Sequence, residues 1–219
     1  PMHVWLPEAH PAAPSHVSAI MSGVMIKTGV YGIMRVLWHI SNTQELQTVG
    51  FIILAVGVVT GLWGVILAAL QNDVKRLLAY SSIENIGVIF IGLGIATLGL
   101  AASNSIVATL ALCGALLHIV NHSLFKTLLF FGAGNLYSQM HSTHLNSFGG
   151  VAKSMPVTAI LFLIATAAIC ALPPLNGFVG EFMIYLGMLN SVRDGVNTLA
   201  AAGGIIALAL IGGIVVFAF

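Results

Sequence analysis

Lys27, Lys126 and Glu181 lie deep inside long apolar runs, and Lys126 closes a row with His118 and His122 at steps of four residues. On a helix those steps put all three on one face, with Asn121 beside them. An ionisable group at the centre of a bilayer costs about 3 to more than 10 kcal/mol, so it persists where it faces a polar interior, commonly on an ion path. Histidine titrates near neutrality and passes protons through either ring nitrogen, while a buried lysine changes its proton affinity when a carboxylate approaches. These types and spacings point to a proton relay through Lys27, His118, His122, Lys126 and Glu181. Lys27, too far from either helix end to snorkel, should need an acidic, histidine or water partner; the alternative is a static lysine tied to backbone carbonyls. Glu84 stands nearly two turns into its helix, as a carboxylate at a channel mouth or simply at the interface. A metal site would need a further ligand from another helix, and no Cys/His signature supplies one. Cys113 and Cys170 sit in apolar runs as small hydrophobes. Asp73, Lys75 and Arg76 read as a surface charge cluster, Glu8, His3 and His10 as an interfacial segment, and His39 as a structural residue near a helix end.

The elements that must position these groups follow from composition. Hydrophobic residues make up 58% of the 219 and charged residues 6%, against about 25% charged in a soluble domain; mean hydropathy is +1.04. The chain is expected to be an all-α polytopic membrane protein, a single transmembrane domain over 1–219 with about six spans near 16–40, 49–70, 77–100, 105–134, 157–190 and 199–219. A net charge of +1 offers no footprint for nucleic acid, and partners should meet the chain within or at the lipid bilayer. Loops 71–76 and 135–156 should share a face with the amino-terminal segment. They carry Lys75, Arg76 and Lys153 against Arg193 and Arg35 opposite, which predicts that this face is cytoplasmic.

The 157–190 stretch exceeds a straight span and contains ALPPLNG at 171–177. Pro173 and Pro174 remove backbone donors and clash with the preceding turn, predicting a broken helix. Broken helices at membrane depth are tolerated where freed backbone meets protein or water, and in transporters they mark the ion site. The alternative is a simple proline kink. Glu181 follows the break. No Cys cluster, Gly-rich nucleotide loop or haem ligand pair stands in the chain, so it is expected to hold no cofactor. The sequence opens on Pro1 with no signal-peptide pattern and closes inside an apolar run, as an internal piece of a longer subunit would.

Four runs carry a resemblance: PMHVWLPEAH at 1–10, VMIKTGVYG at 24–32, QNDVKRLLAYSS at 71–82 and HIVNHSLFK at 118–126. In this order they resemble the antiporter-like proton-translocating subunits of respiratory complex I, Mrp sodium/proton antiporters and group-4 [NiFe] hydrogenases, over essentially the whole chain. The resemblance implies part of a roughly fourteen-helix fold with inverted repeats, from the end of the seventh helix through the thirteenth. It implies that Lys27 is the bridging lysine of the eighth helix, His122 and Lys126 the eleventh-helix relay and Glu181 the terminal residue of the twelfth. The seventh-helix lysine and fifth-helix glutamate would lie upstream. SSIENIG at 81–87 and PAAPSHVSA at 11–19 look most similar to hydrogenase-4 and formate hydrogenlyase membrane subunits, and a glutamate at 181 departs from the lysine of the most distal complex I subunit. The implied function is proton translocation coupled to electron transfer in a peripheral redox arm of a cell-membrane complex, with other membrane-arm subunits as partners. An Mrp-type sodium/proton antiporter and a non-conducting scaffold are the alternatives.

Overall fold

Short polar side chains open three of the long helices. Asn42 accepts from the Gln44 amide at 3.0 Å, Asp73 from the Arg76 amide at 2.9 Å and Asn104 from the Val107 amide at 3.0 Å, satisfying donors that the first helical turn leaves free. The computed structural model describes residues 3–40 and 42–219. Pro1 and Met2 of the first motif and Ser41 of the expected 41–48 connection lie outside the described residues.

Apart from single turns at Leu145–Ser147 and Val151–Ser154, the helices in chain order are α1 Trp5–Ala12, α2 Ser15–Leu37, α3 Thr43–Ala69, α4 Val74–Ala101, α5 Ser105–Met140, α6 Pro156–Ile169, α7 Asn176–Arg193 and α8 Thr198–Ala218. Five of them, α2, α3, α4, α5 and α8, are long and apolar enough to cross a membrane. The fifth expected stretch, 157–190, is divided into α6 and α7, of 14 and 18 residues. Between them Ala171 takes a left-handed backbone with φ 50° and Pro173 and Pro174 withhold amide donors. The stretch is therefore broken rather than kinked, because α6 has ended at Ile169 before the prolines and α7 begins only at Asn176.

Helix α4 is the axis of the bundle. In its most apolar window 83% of residues are buried, against 33–44% in the other four long helices. Lipid tails are as apolar as leucine, so close backbone packing, rather than withdrawal from water, holds such helices together. Glycine makes that approach possible where α3 crosses α4: a Cβ on Gly64 would stand 2.6 Å from the Glu84 amide nitrogen, and one on Gly57 would stand 2.7 Å from that of Ile91. Leu54, Ile91, Ile184, Met188 and Ile211 fill the core among α3, α4, α7 and α8, while Leu78, Phe125, Phe130 and Ile169 fill a second among α4, α5 and α6.

The two expected loop faces are visible as contacts. The Val74 amide donates to the Thr143 carbonyl at 3.0 Å, Leu145 to Asn72 at 2.9 Å, and Arg76 binds both Glu8 carboxylate oxygens at 2.9 Å. Loops 71–76 and 135–156 and the amino-terminal segment thus share one face. At the other end Asn104 donates to Asp194 at 3.0 Å. Lys75, expected at the surface with Asp73 and Arg76, is instead 6% exposed. Its ammonium donates to the Ala13 carbonyl at 2.9 Å and lies 5.8 Å from the Tyr137 ring centre, so α1 and α5 close over it.

Candidate functional site

A π-helical turn at Met21–Met25 interrupts α2. Such a turn widens the helix and releases carbonyls from their regular partners. The Lys27 ammonium donates to the Ser22 carbonyl, and Ser123 of α5 donates to the Gly23 carbonyl at 2.6 Å. Among the described residues the partner of Lys27 is therefore a backbone oxygen made available by the π turn, the carbonyl tie named as the alternative, rather than a carboxylate or histidine.

From Ser22 the polar groups run on into α4. Its hydroxyl lies 2.8 Å from that of Ser82, which donates to the Leu78 carbonyl at 2.9 Å. The same carbonyl receives Lys126 Nζ at 2.8 Å, and Lys126 also donates to the Ser81 hydroxyl. One turn along α4, Asn85 Nδ2 donates to the Ser81 carbonyl at 2.8 Å and to Glu84 Oε2 at 2.6 Å, while Asn85 Oδ1 lies 3.0 Å from His118 Nε2. Lys27, Lys126, Glu84 and His118 are joined across α2, α4 and α5 by groups that are each less than a tenth exposed.

The i, i+4 row behaves as a face. His118, His122 and Lys126 are all buried, and the two imidazoles stack with ring centres 6.5 Å apart. Neither nitrogen of His122, nor Nδ1 of His118, has a hydrogen-bond partner among the described residues. Buried polar atoms are seldom left so, because each costs about 1–3 kcal/mol. Asn121 turns to the break, donating at 2.7 Å to the carbonyl of Asn176, the first residue of α7.

Glu84, expected at a channel mouth or simply at the interface, is packed inside the bundle. It is 2% exposed, because Gly64 brings the α3 backbone against it. Gly180, next to Glu181, packs so closely on α5 that an added Cβ would stand 3.0 Å from the His118 Cα. Glu181 is half-buried, beside a cleft of about 320 Å³ between α7 and α8 that Cys170, Tyr185, Gly212 and Gly213 also line. It is placed near the network without being hydrogen-bonded into it. Among the described residues the ion pairs are Arg76–Glu8 and Arg193–Asp194, both at the surface. The buried lysines are therefore held by neutral oxygens.

Sequence reasoning passed over Ser22, Ser81, Ser82 and Asn85. The signal was present: Ser81, Glu84 and Asn85 stand at i, i+3 and i+4 and share a face.

The family model described as NADH:quinone oxidoreductase/Mrp antiporter, transmembrane, matches residues 1–209. Hydrogenase-4 component B of Escherichia coli is 43% identical over the whole chain, which covers 33% of that protein. Formate hydrogenlyase subunit 3 of the same organism is 37% identical over 96% of the chain and 34% of its own length. The chain thus spans about a third of the curated relatives it matches. Among solved structures, the archaeal membrane-bound sulfane sulfur reductase, a respiratory membrane complex, contains a chain with TM-score 0.80 and 26% identity, covering 99% of this chain and 41% of that one.

Proposed function

Because the chain belongs to the NADH:quinone oxidoreductase/Mrp antiporter transmembrane family, we propose that it moves protons across the cell membrane, driven by electron transfer in partner subunits. The observation that carries this reading is the buried network from Lys27 through Ser22, Ser82, Leu78, Lys126, Ser81 and Asn85 to His118 and Glu84. In such a chain hydroxyls and waters carry the proton while the carbonyls of Ser22 and Leu78 position the lysines, and a charge change at one station alters proton affinity at the next. Redox cofactors would sit on a peripheral arm of a hydrogenase or NADH:quinone oxidoreductase type complex, with other membrane-arm subunits alongside. The 219 residues act as one transmembrane domain of a larger inverted-repeat fold, with α6 and α7 together forming its fifth span. Loops 71–76 and 135–156 face the cytoplasm.

Coupling is a conformational matter in this reading. Asn121 ties the relay helix α5 to the start of α7, so movement at the break reaches the histidine row, and Glu181 takes the proton onward. The test is redox-driven pH change in vesicles carrying the assembled complex. Lys126→Ala, Lys27→Ala and Glu181→Gln should each lower protons moved per electron. Unchanged stoichiometry in the two lysine variants would establish a scaffold, a reading favoured by the carbonyl ties of Lys27 and Lys126; unchanged stoichiometry in Glu181→Gln would remove that residue from the path. Sodium/proton exchange, favoured by the Mrp members of the family, predicts sodium-dependent transport without an electron donor.

A further inference from the structure

His10 belongs to no role assigned so far and was expected in an interfacial segment, yet it is 0% exposed. Its ring stacks on Phe130 with centres 4.7 Å apart. Phe130 is the next i+4 position after His118, His122 and Lys126, so α1 supplies a third imidazole where α5 itself turns apolar. Both His10 ring nitrogens lack a hydrogen-bond partner among the described residues. Burial, with Lys126 and Lys75 near enough for their charges to act on it, pushes its imidazole down to about 4. At neutral pH the ring therefore offers one N–H and one lone pair, both unclaimed.

The short helix carrying His10 is held on both sides of it. Arg76 grips Glu8, two residues before, and Lys75 grips the Ala13 carbonyl, three residues after; the Ser18 hydroxyl donates to the His10 carbonyl at 3.0 Å. Such fixation of a ring with two unsatisfied nitrogens is a cost that packing alone does not need, since phenylalanine would fill the same stack.

We propose that His10 is a further station of the relay, linking Lys126 to Lys75 and the 71–76 face. This rests on the proton-transfer reading above. A proton leaving the Lys126 ammonium through a bridging water forms an N–H bond at the free imidazole nitrogen. The N–H bond at the other nitrogen breaks as its proton passes to a water on the Lys75 side, which carries it to solvent at the 71–76 face, and tautomer exchange resets the ring. The path then reaches the 71–76 face through α1.

The experiment uses the assembled complex in vesicles and follows proton translocation beside electron transfer. His10→Phe and His10→Gln should assemble and lower translocation at least tenfold, whereas Phe130→Leu, which removes the stack and leaves the imidazole, should lower it less than twofold. In His10→Ala, added imidazole should restore translocation. Wild-type translocation in His10→Phe or His10→Gln overturns the proposal, as does a Phe130→Leu loss equal to that of His10→Phe, an absence of imidazole rescue, or failure of both His10→Phe and His10→Gln to assemble, each of which assigns a packing role. Lys126→Ala separates the two levels: if it abolishes translocation while His10→Phe does not, only the His10 station falls; if neither does, the relay itself falls.

Discussion

Asn85→Leu is the sharpest test of the network, because it keeps the same branching and number of heavy atoms while removing the bonds to two titratable groups at once. Asn85 donates to Glu84 at 2.6 Å and meets His118 Nε2 at 3.0 Å, and both partners are almost wholly buried, at 2% and 1% exposure. It touches both titratable groups and carries no titratable proton of its own, so it is a positioning residue. A hydrogen bond to a charged group contributes about 1.5–3 kcal/mol net. If that is what holds Glu84 in the geometry for transfer, its loss raises the barrier by the same amount and slows passage about 10- to 150-fold. The readout is the initial rate of redox-driven proton uptake or release in vesicles, divided by the electron-transfer rate in the same sample. Asn85→Gln, which keeps both functional groups on a longer arm, should recover part of the loss. An Asn85→Leu complex with the wild-type ratio of protons to electrons would refute the reasoning, since it would show that Glu84 and His118 need no common anchor.

Three further outcomes follow from particular contacts. Gly64→Val places carbon where only 2.6 Å separates an added Cβ from the Glu84 amide nitrogen; overpacking of this kind costs about 1–3 kcal/mol, seen as a lower midpoint of thermal unfolding together with reduced translocation. Asp73→Ala removes the α4 cap and the side-chain bond from Thr143, and should cost about 0.5–2 kcal/mol, read as the same midpoint shift and as faster proteolysis within 135–156. After replacement of Cys113 and Cys170, single cysteines at Ser142 and Asn72 should react with an impermeant maleimide from the cytoplasmic side only, and one at Asp194 from the opposite side only.

The helices were legible because apolar runs of spanning length and the polar residues between them leave little choice in lipid. Asn42, Asp73 and Asn104 all stand in the expected connections and all serve as caps. The His118, His122 and Lys126 row was legible for the same kind of reason, since its spacing matches the helical repeat whatever surrounds it. Lateral cover was not legible. Counting turns from the start of α4 gives the depth of Glu84 along the axis, but its burial depends on α3 crossing at Gly64. Lys75 and His10 were misplaced by the same limit, because a tertiary fold of the short helix α1 onto α4 and α5 buries them, and eight residues produce no spanning signal. The π turn that gives Lys27 its carbonyl partner leaves the composition of VMIKTGVYG unchanged.

The chemistry of the ties decides how such a network can work. A buried lysine paired with a carboxylate is locked at a high cost of separation, because removing one charge strands the other. Lys27 and Lys126 are instead held by serine hydroxyls and by carbonyls freed from or shared within helices, and Glu84 by an amide. Neutral ties can be exchanged one at a time, and no ion pair must be broken for a proton to leave. The Leu78 carbonyl accepts from both Ser82 and Lys126, so weakening of one bond by charge movement at Lys126 is felt at once on the Ser22 and Lys27 side. With Asn121 anchored at 2.7 Å to the first residue of α7, the broken helix and the lysine network share α5 as their common mechanical element. Asn121→Ala should therefore uncouple proton movement from electron transfer while leaving the lysine contacts in place. Full coupling in that variant would place the transmission outside α5.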